Sequence, residues 1–139
     1  EVLSARLVPA SVEVCALLEL PAFSSVYQVR RARRIDGRLV LYVEHYLNPA
    51  YFPGILEFDL TRSLTDLYAS EYGIRYGRVR FDMVPTALQA EAASTLRMAV
   101  GSPALRITRI NRDQHKRVID CDLEFWRHDA IHVSVEVPE

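Results

Sequence analysis

Four arginines lie within five positions of the segment VYQVRRARRIDG, residues 26–37. Side chains alternate across a strand, so Arg31 and Arg33 are predicted to share its more apolar face. Arg30 and Arg34 are expected on the other side, without specific chemistry. Two cations on an apolar face are costly unless an anion joins them, and the planar guanidinium fork suits carboxylate and phosphate groups. The pair Arg31 and Arg33 is therefore a candidate anion clamp.

Three sources of that anion remain open at this stage. Internal carboxylates would serve, with Asp120, Asp122 and Glu44 as the candidates. A DNA backbone is disfavoured, because the 139-residue chain has a formal net charge of −1 and offers no recognition helix. A small anionic molecule is the third source.

A second segment, VIDCDLEFW at 118–126, alternates acidic and apolar residues. Its acidic face is either solvated or part of a polar pocket in which Asp120 and Trp126 lie beside the arginines. Glu44, on an otherwise apolar strand, is expected to be a partly buried carboxylate that needs a cationic partner. His45 on the same strand is expected to pack rather than react.

The sequence contains no motif for catalysis or for binding a cofactor or metal. No nucleophile elbow, HExxH motif, phosphate-binding glycine loop or paired metal-ligand spacing occurs, so the sequence predicts neither an enzyme nor a cofactor or metal site. The two cysteines, Cys15 and Cys121, lack ligand spacing and are expected to be buried thiols. No apolar run approaches the roughly 18 residues of a membrane span, and no signal peptide is evident, which favours a cytoplasmic protein without a membrane partner.

The elements that position these residues follow from periodicity and turn residues. The turn Asp36-Gly37 predicts a hairpin, and Ser63, Asp66 and Gly73 predict the start and end of a short helix. A capping box of Thr86 and Gln89 predicts another helix within 85–98, and a first helix is predicted from about residue 10. Strands are predicted over residues 2–8, 26–35, 39–47, 74–84, 104–111, 117–126 and 131–137.

The two halves of the chain repeat one plan of strand, helix and long basic hairpin. Arg31 corresponds to Arg109 and Val40 to Val118, with the same spacing in each half. This pattern indicates a single α+β domain over residues 1–139, with an antiparallel sheet covered on one face by helices and an internal strand-helix-hairpin duplication.

Four segments together resemble the UTRA domain of GntR-type bacterial transcription regulators of the HutC subfamily. They are VYQVRRARRIDGRLVLYVEHYL, FPGILEFDLTRSLTDLYASEYGI, VPTALQAEAASTLRMAVGSPALRITRI and DLEFWRHDAIHVSV. The resemblance spans nearly the whole chain in the family's order. It implies a chorismate-lyase-like fold without lyase activity, homodimerisation, and an effector site between sheet and helices. The site residues that it implies are Arg31, Arg33, Glu44, Ser63, Thr65, Asp120 and Trp126.

The resemblance predicts an effector sensor of the repressor type, with a small anion held by Arg31 and Arg33. A phosphonate or phosphate ester is the first expectation and a carboxylate such as an imidazole acid the second, with regulators of phosphonate use the most similar type. DNA would be bound only by a winged helix-turn-helix domain expected to precede Glu1. Two alternatives stay open: a chorismate-lyase-like enzyme acting on a small dicarboxylate, and a dimerisation module without a ligand.

Overall fold

Six strands and three short helices make up the computed structural model, which describes residues 1–138. The strands are β1 Val2–Pro9, β2 Ser25–Ile35, β3 Arg38–Leu47, β4 Tyr76–Ala87, β5 Pro103–Asp113 and β6 Val118–Arg127. The helices are α1 Val12–Leu17, α2 Leu64–Tyr72 and α3 Ala90–Leu96, and two 3₁₀ turns cover Pro49–Tyr51 and Ile55–Glu57. None of these helices is long and apolar enough to cross a membrane.

All six strands form one antiparallel sheet in the order β1-β2-β3-β6-β5-β4. The first half contributes β1-α1-β2-β3 and the second β4-α3-β5-β6, so the halves meet where β3 pairs with β6. The predicted α+β fold with an internal duplication is confirmed. Helix α2 lies in the connection between the two halves.

A tight turn fixes the register of the first hairpin. Asp36 and Gly37 both have positive φ, 52° and 78°, as the favoured two-residue hairpin turn requires. Ile35 therefore pairs with Arg38, and Arg34 with Leu39. A bulge between Arg33 and Arg34 then shifts the register by one residue.

The two sheet faces are packed differently. We call the face that carries Arg31, Val43 and Glu124 the front face, and the opposite one the back face. Helices α1 and α3 pack on the back face, where Val14 and Leu96 are buried in apolar clusters. Helix α2 covers only the end of the front face near the start of β2.

Three sequence predictions need correction. Thr86 lies in β4 and helix α3 begins at Ala90 after the cap Gln89, whose side chain makes no capping bond, so the predicted capping box is wrong. Thr86 is in a strand and not at a helix terminus because β4 pairs with β5 as far as Ala87. The predicted strand at 131–137 is also wrong, since residues 131–138 pair with no strand of the described chain. The predicted start of β4 at Ile74 is two residues early.

Helix α2 follows its sequence signals. The Ser63 hydroxyl accepts a hydrogen bond from the Asp66 amide at 3.3 Å, and Gly73 ends the helix with a φ of 63°. These contacts satisfy groups that a helix terminus otherwise leaves unpaired.

Candidate functional site

A cavity of about 520 Å³ opens on the front face beside β2 and β3. Residues that line it include Glu1, Arg31, Arg33, Leu41, Val43 and His45. The β2–β3 register explains this grouping, because Arg31 pairs with Val43 and Arg33 with Leu41. Side chains that are directly opposite in an antiparallel pair lie on the same face. The cavity thus has an apolar floor and a basic wall.

The guanidinium groups of Arg31 and Arg33 have no carboxylate partner among residues 1–138. Every ion pair in that part of the chain involves other cationic groups. The internal carboxylates that would have neutralised them are engaged elsewhere, as described below. Arg31 is half-buried and Arg33 is exposed. The carboxylate of Glu1, which lines the same cavity, pairs with Arg34 at 3.8 Å.

Strand β6 continues the front face beyond β3. Val43 pairs with Glu124 and Leu41 with Trp126, which gives the rows Arg31-Val43-Glu124 and Arg33-Leu41-Trp126 across three strands. Two strand spacings separate the ends of each row, about 10 Å. Trp126 therefore lies on the same face as the clamp, although it does not line the clamp cavity itself.

Glu124 gives the far side of this face an acidic character. Its Oε1 accepts a hydrogen bond from the Trp126 indole nitrogen at 2.9 Å. Burial raises the pKa of the Glu124 carboxyl, with a further contribution from Asp122. The face thus runs from a basic wall on β2 to a half-buried acid on β6.

His45 and Asp122 form the next row with Val29. The Nδ1 of His45 lies 2.7 Å from Oδ1 of Asp122, and both side chains are largely buried. This contact occupies Asp122, which therefore does not pair with the arginines. It also orients the imidazole ring at the cavity wall.

Asp120 lies one row further, beneath α2. Its carboxylate accepts hydrogen bonds from the Tyr68 hydroxyl at 2.7 Å, the Tyr76 hydroxyl at 3.3 Å and the Asn111 amide at 2.6 Å. Burial, and next the charge of Asp122, raise the pKa of Asp120 to about 7. Asp120 is fully enclosed and does not line the cavity, so the structure places it in a buried network.

Glu44 lies on the back face, away from Arg31 and Arg33. It pairs with Arg30 in the β2–β3 ladder, and its two oxygens accept hydrogen bonds from the Tyr42 hydroxyl at 2.7 Å and the Tyr46 hydroxyl at 2.9 Å. The structure therefore places Glu44 on the face opposite Arg31 and Arg33, and not beside them as expected. The bulge before Arg34 is the cause, since a one-residue shift reverses the face of every later β3 residue relative to β2.

The neighbours of the clamp also differ from expectation. Arg30 has specific partners on the back face, where its Nε donates to the Tyr42 hydroxyl at 3.0 Å and its Nη2 donates to Glu91 at 3.1 Å. Arg34 also lines the clamp cavity, where its Nε lies 3.8 Å from a carboxylate oxygen of Glu1.

Ser63 and Thr65 lie at the start of α2, and both are exposed. The Ser63 hydroxyl caps the helix, and neither residue lines the clamp cavity. The structure therefore brings Arg31 and Arg33 together on one cavity wall and Trp126 onto the same face. It does not bring Glu44, Ser63, Thr65 or Asp120 to that cavity.

Sequence reasoning missed His45 and Glu124 as neighbours of the clamp. The signal that would have found them is strand register, counted from the Asp36-Gly37 turn and across β3 to β6. That count is correct only if the position of the bulge in the β2–β3 ladder is known, and no residue type in the sequence predicts the bulge. No group of three or more potential metal ligands occurs within the described chain.

Comparisons with known proteins agree with this architecture. The model of the UTRA domain family matches residues 1–132. The chain is 27% identical over 130 residues to the "Probable transcriptional regulator PhnF" of Escherichia coli K12, and 22% identical over 121 residues to the "Uncharacterized HTH-type transcriptional regulator YihL" of the same strain. These alignments cover 92% and 87% of this chain but 54% and 51% of the relatives. The chain thus spans about half the length of the curated relatives it matches.

The fold also matches a solved structure closely. The C-terminal domain of Yurk from Bacillus subtilis superposes with a TM-score of 0.92 at 20% identity, covering 99% of this chain and 95% of that one. Such low identity shows the fold and no more. The two chains therefore share this fold.

Proposed function

The chain belongs to the UTRA domain family, and from this membership we propose that it is the effector-sensing domain of a GntR-type transcription regulator. The effector is a small anion that Arg31 and Arg33 bind. DNA is bound by a separate domain outside this chain, and the sensing domains associate as a homodimer. The relatives named as transcription regulators support this role over an enzymatic one.

One observation carries the proposal. Arg31 and Arg33 line a cavity of about 520 Å³ and have no carboxylate partner within residues 1–138. Arg31 is half-buried, and a half-buried guanidinium group without a counter-ion is costly. A bound anion removes that cost through charge-assisted hydrogen bonds with Arg31 and with the exposed Arg33 beside it. The volume suits a small metabolite.

The charges on the front face indicate which class of anion is the best candidate for the effector. Residues two apart on a strand are roughly 6.6 Å apart, so two guanidinium groups can hold different oxygens of one phosphonate or phosphate, or of one carboxylate. Glu124, about 10 Å across the sheet from Arg31, disfavours a second anionic group there. Glu124 lies on the same face but does not line the clamp cavity itself. A phosphonate or phosphate ester with a hydrogen-bond donor at its other end is the effector that this face fits best.

Regulation follows from differential affinity. An effector that binds one arrangement of two subunits more tightly shifts the population towards that arrangement, and so changes the affinity of the attached DNA-binding domains for their operator. A decrease in operator affinity would make the protein a repressor that its effector releases from DNA. An increase would make it a repressor that its effector activates.

A thermal-shift panel tests the proposal. The purified chain is heated with methylphosphonate, glucose 6-phosphate, glutamate or urocanate, with sodium chloride at matched ionic strength as control. A ligand at about 100 times its Kd stabilises the folded state by roughly 2.7 kcal/mol, so a bound anion raises the melting temperature by several degrees. A flat response to all four classes contradicts the proposal.

A further inference from the structure

The imidazole ring of His45 forms part of the wall of the clamp cavity. Its Nδ1 lies 2.7 Å from Oδ1 of Asp122, and this is the one hydrogen bond of the ring within residues 1–138. The Nε2 atom has no partner in that part of the chain, yet it is not fully buried. The structure thus leaves Nε2 as the ring nitrogen that a molecule in the cavity meets, although only 15% of the His45 side chain is exposed.

Asp122 determines which nitrogen of His45 carries the proton when the ring is neutral. A carboxylate only accepts hydrogen bonds, so the short contact with Asp122 places a proton on Nδ1. The neutral ring then presents Nε2 as an acceptor, and the protonated ring presents it as a donor. Imidazole is the side chain whose charge ordinarily changes between pH 5 and 8. The character of this wall therefore depends on whether His45 carries a second proton.

Arg31 and His45 are close enough to contact one anionic group. Arg31 pairs with Val43, and His45 lies two residues further along β3, which makes Arg31 and His45 diagonal neighbours on the front face. Diagonal neighbours of an antiparallel pair are about 7–8 Å apart, and long or aromatic side chains span that distance. The guanidinium group and the imidazole ring can thus bind different oxygens of a single phosphonate, phosphate or sulfonate.

We propose that His45 is a third anion-binding residue of the clamp, and that it takes up a proton from solvent when the anion binds. This role rests on the proposed function and adds a proton linkage to the same site. A bound anion favours the imidazolium over the neutral ring, because only the imidazolium donates a hydrogen bond from Nε2 and attracts the anionic charge. Asp122 holds the ring from the opposite side and is a positioning residue.

The linkage fixes the sign of the pH effect. If binding of the anion favours binding of a proton, then binding of a proton favours the anion by the same factor. Anion affinity is therefore expected to be highest towards pH 5 and to fall as the pH rises towards 8. A single linked proton limits this fall to about tenfold in Kd per pH unit.

Other charged groups near His45 have to be distinguished from it. Those that face it are Arg31 of β2, Asp120, Asp122 and Glu124 of β6, Arg109 of β5, and Glu1 at the cavity. Burial raises the pKa of Asp120 to about 7 and also raises the pKa of Glu124. Titration of either carboxyl could imitate titration of His45, so both are replaced in the controls.

Titration calorimetry with methanesulfonate at about pH 5.5 and about pH 8 tests the inference on the whole chain. A sulfonate keeps one negative charge over this range, so a change in its Kd with pH comes from the protein. We expect the wild type to bind about tenfold more tightly at the lower pH, and His45→Gln to change by less than about twofold. The matched controls Asp120→Asn and Glu124→Gln should keep the wild-type dependence, because neither side chain lines the cavity.

Each outcome of these titrations supports or overturns a specific statement. A pH dependence that survives in His45→Gln, or that is lost in Asp120→Asn or Glu124→Gln instead, overturns the role of His45 and leaves anion binding intact. Absence of methanesulfonate binding at both pH values overturns the anion site of the proposed function as well.

A second measurement uses the wild type alone and does not depend on the folding of a variant. Imidazole proton signals of the four histidines are followed by NMR against pH, with saturating methanesulfonate or with sodium chloride at matched ionic strength. We expect the anion to move the titration midpoint of one imidazole upwards by about one pH unit, the equivalent of a tenfold linkage. Four unmoved midpoints overturn the inference.

Discussion

The imidazole of His45 and the carboxylate of Asp122 are joined on the front face, with 2.7 Å between Nδ1 and Oδ1. Their rows are adjacent to that of Arg31, so the contact holds one wall of the clamp cavity. It also keeps a buried acid from neutralising the arginines.

We expect Asp122→Asn to lower the free energy of unfolding by roughly 1–3 kcal/mol, because it weakens a largely buried, charge-assisted contact. Urea unfolding of this variant, of His45→Gln and of the double variant measures the coupling. Losses that simply add would show that the two side chains do not interact energetically. The exposed Asp82→Asn, which breaks a surface ion pair, is the control and should cost no more than about 1 kcal/mol.

Asp120 gives the protein a defined pH dependence. Burial, reinforced by the charge of Asp122, raises the pKa of Asp120 from 3.8 to about 7, so the folded state binds this proton more tightly than the unfolded state. This carboxyl therefore lowers stability as pH rises from about 4 to about 7, by up to roughly 1.4 kcal/mol per pH unit, and contributes no slope above that window.

The variant Asp120→Asn should lose this part of the slope. Denaturant unfolding at a series of pH values measures it, with Asp36→Asn as control because Asp36 lies in an exposed turn whose positive φ asparagine also adopts. A slope that is the same in the wild type and in Asp120→Asn would show that Asp120 is already ionised at low pH.

Gly77 marks an irregular step in the β4–β5 ladder. A β-carbon at this position would lie 2.5 Å from the backbone oxygen of Asp113, closer than atoms can approach without a backbone shift. We expect Gly77→Ala to destabilise the fold by roughly 1–3 kcal/mol. The neighbouring exposed residue provides the control, since Arg78→Ala should change stability by no more than about 0.5 kcal/mol. Equal melting temperatures for the two variants would contradict the close approach.

The sequence predicts the hairpins well because local residues determine them. Asp36 and Gly37 supply the positive φ values of the first turn, and alternation then places Arg31 and Arg33 on one face. The helix signals around Ser63 succeed for the same local reason. The duplicated plan also predicts that the two halves share one order of elements, as β1-α1-β2-β3 and β4-α3-β5-β6 do, but it does not predict that the halves meet where β3 pairs with β6.

The sequence does not predict which residues come together when they are distant along the chain. An ideal two-residue turn would bring Glu44 to the face of Arg31, and the bulge after Arg33 moves it to the other side. The local sequence predicts Thr86 as a helix cap, but its pairing with Ala104 holds it in β4. Both outcomes depend on partners distant in sequence, which local propensity does not contain.

Titration calorimetry of Arg31→Gln tests the central claim most directly. The titrant is whichever anion of the panel stabilises the wild type, and the controls are Arg6→Gln, an exposed arginine that pairs with Gln28 on the back face, and Glu44→Gln. Loss of a charge-assisted contact worth about 1.5–3 kcal/mol predicts a Kd roughly 10- to 100-fold weaker for Arg31→Gln, with both controls near the wild-type value. An unchanged Kd for Arg31→Gln, or a loss that Glu44→Gln reproduces, would contradict anion binding at the front-face clamp.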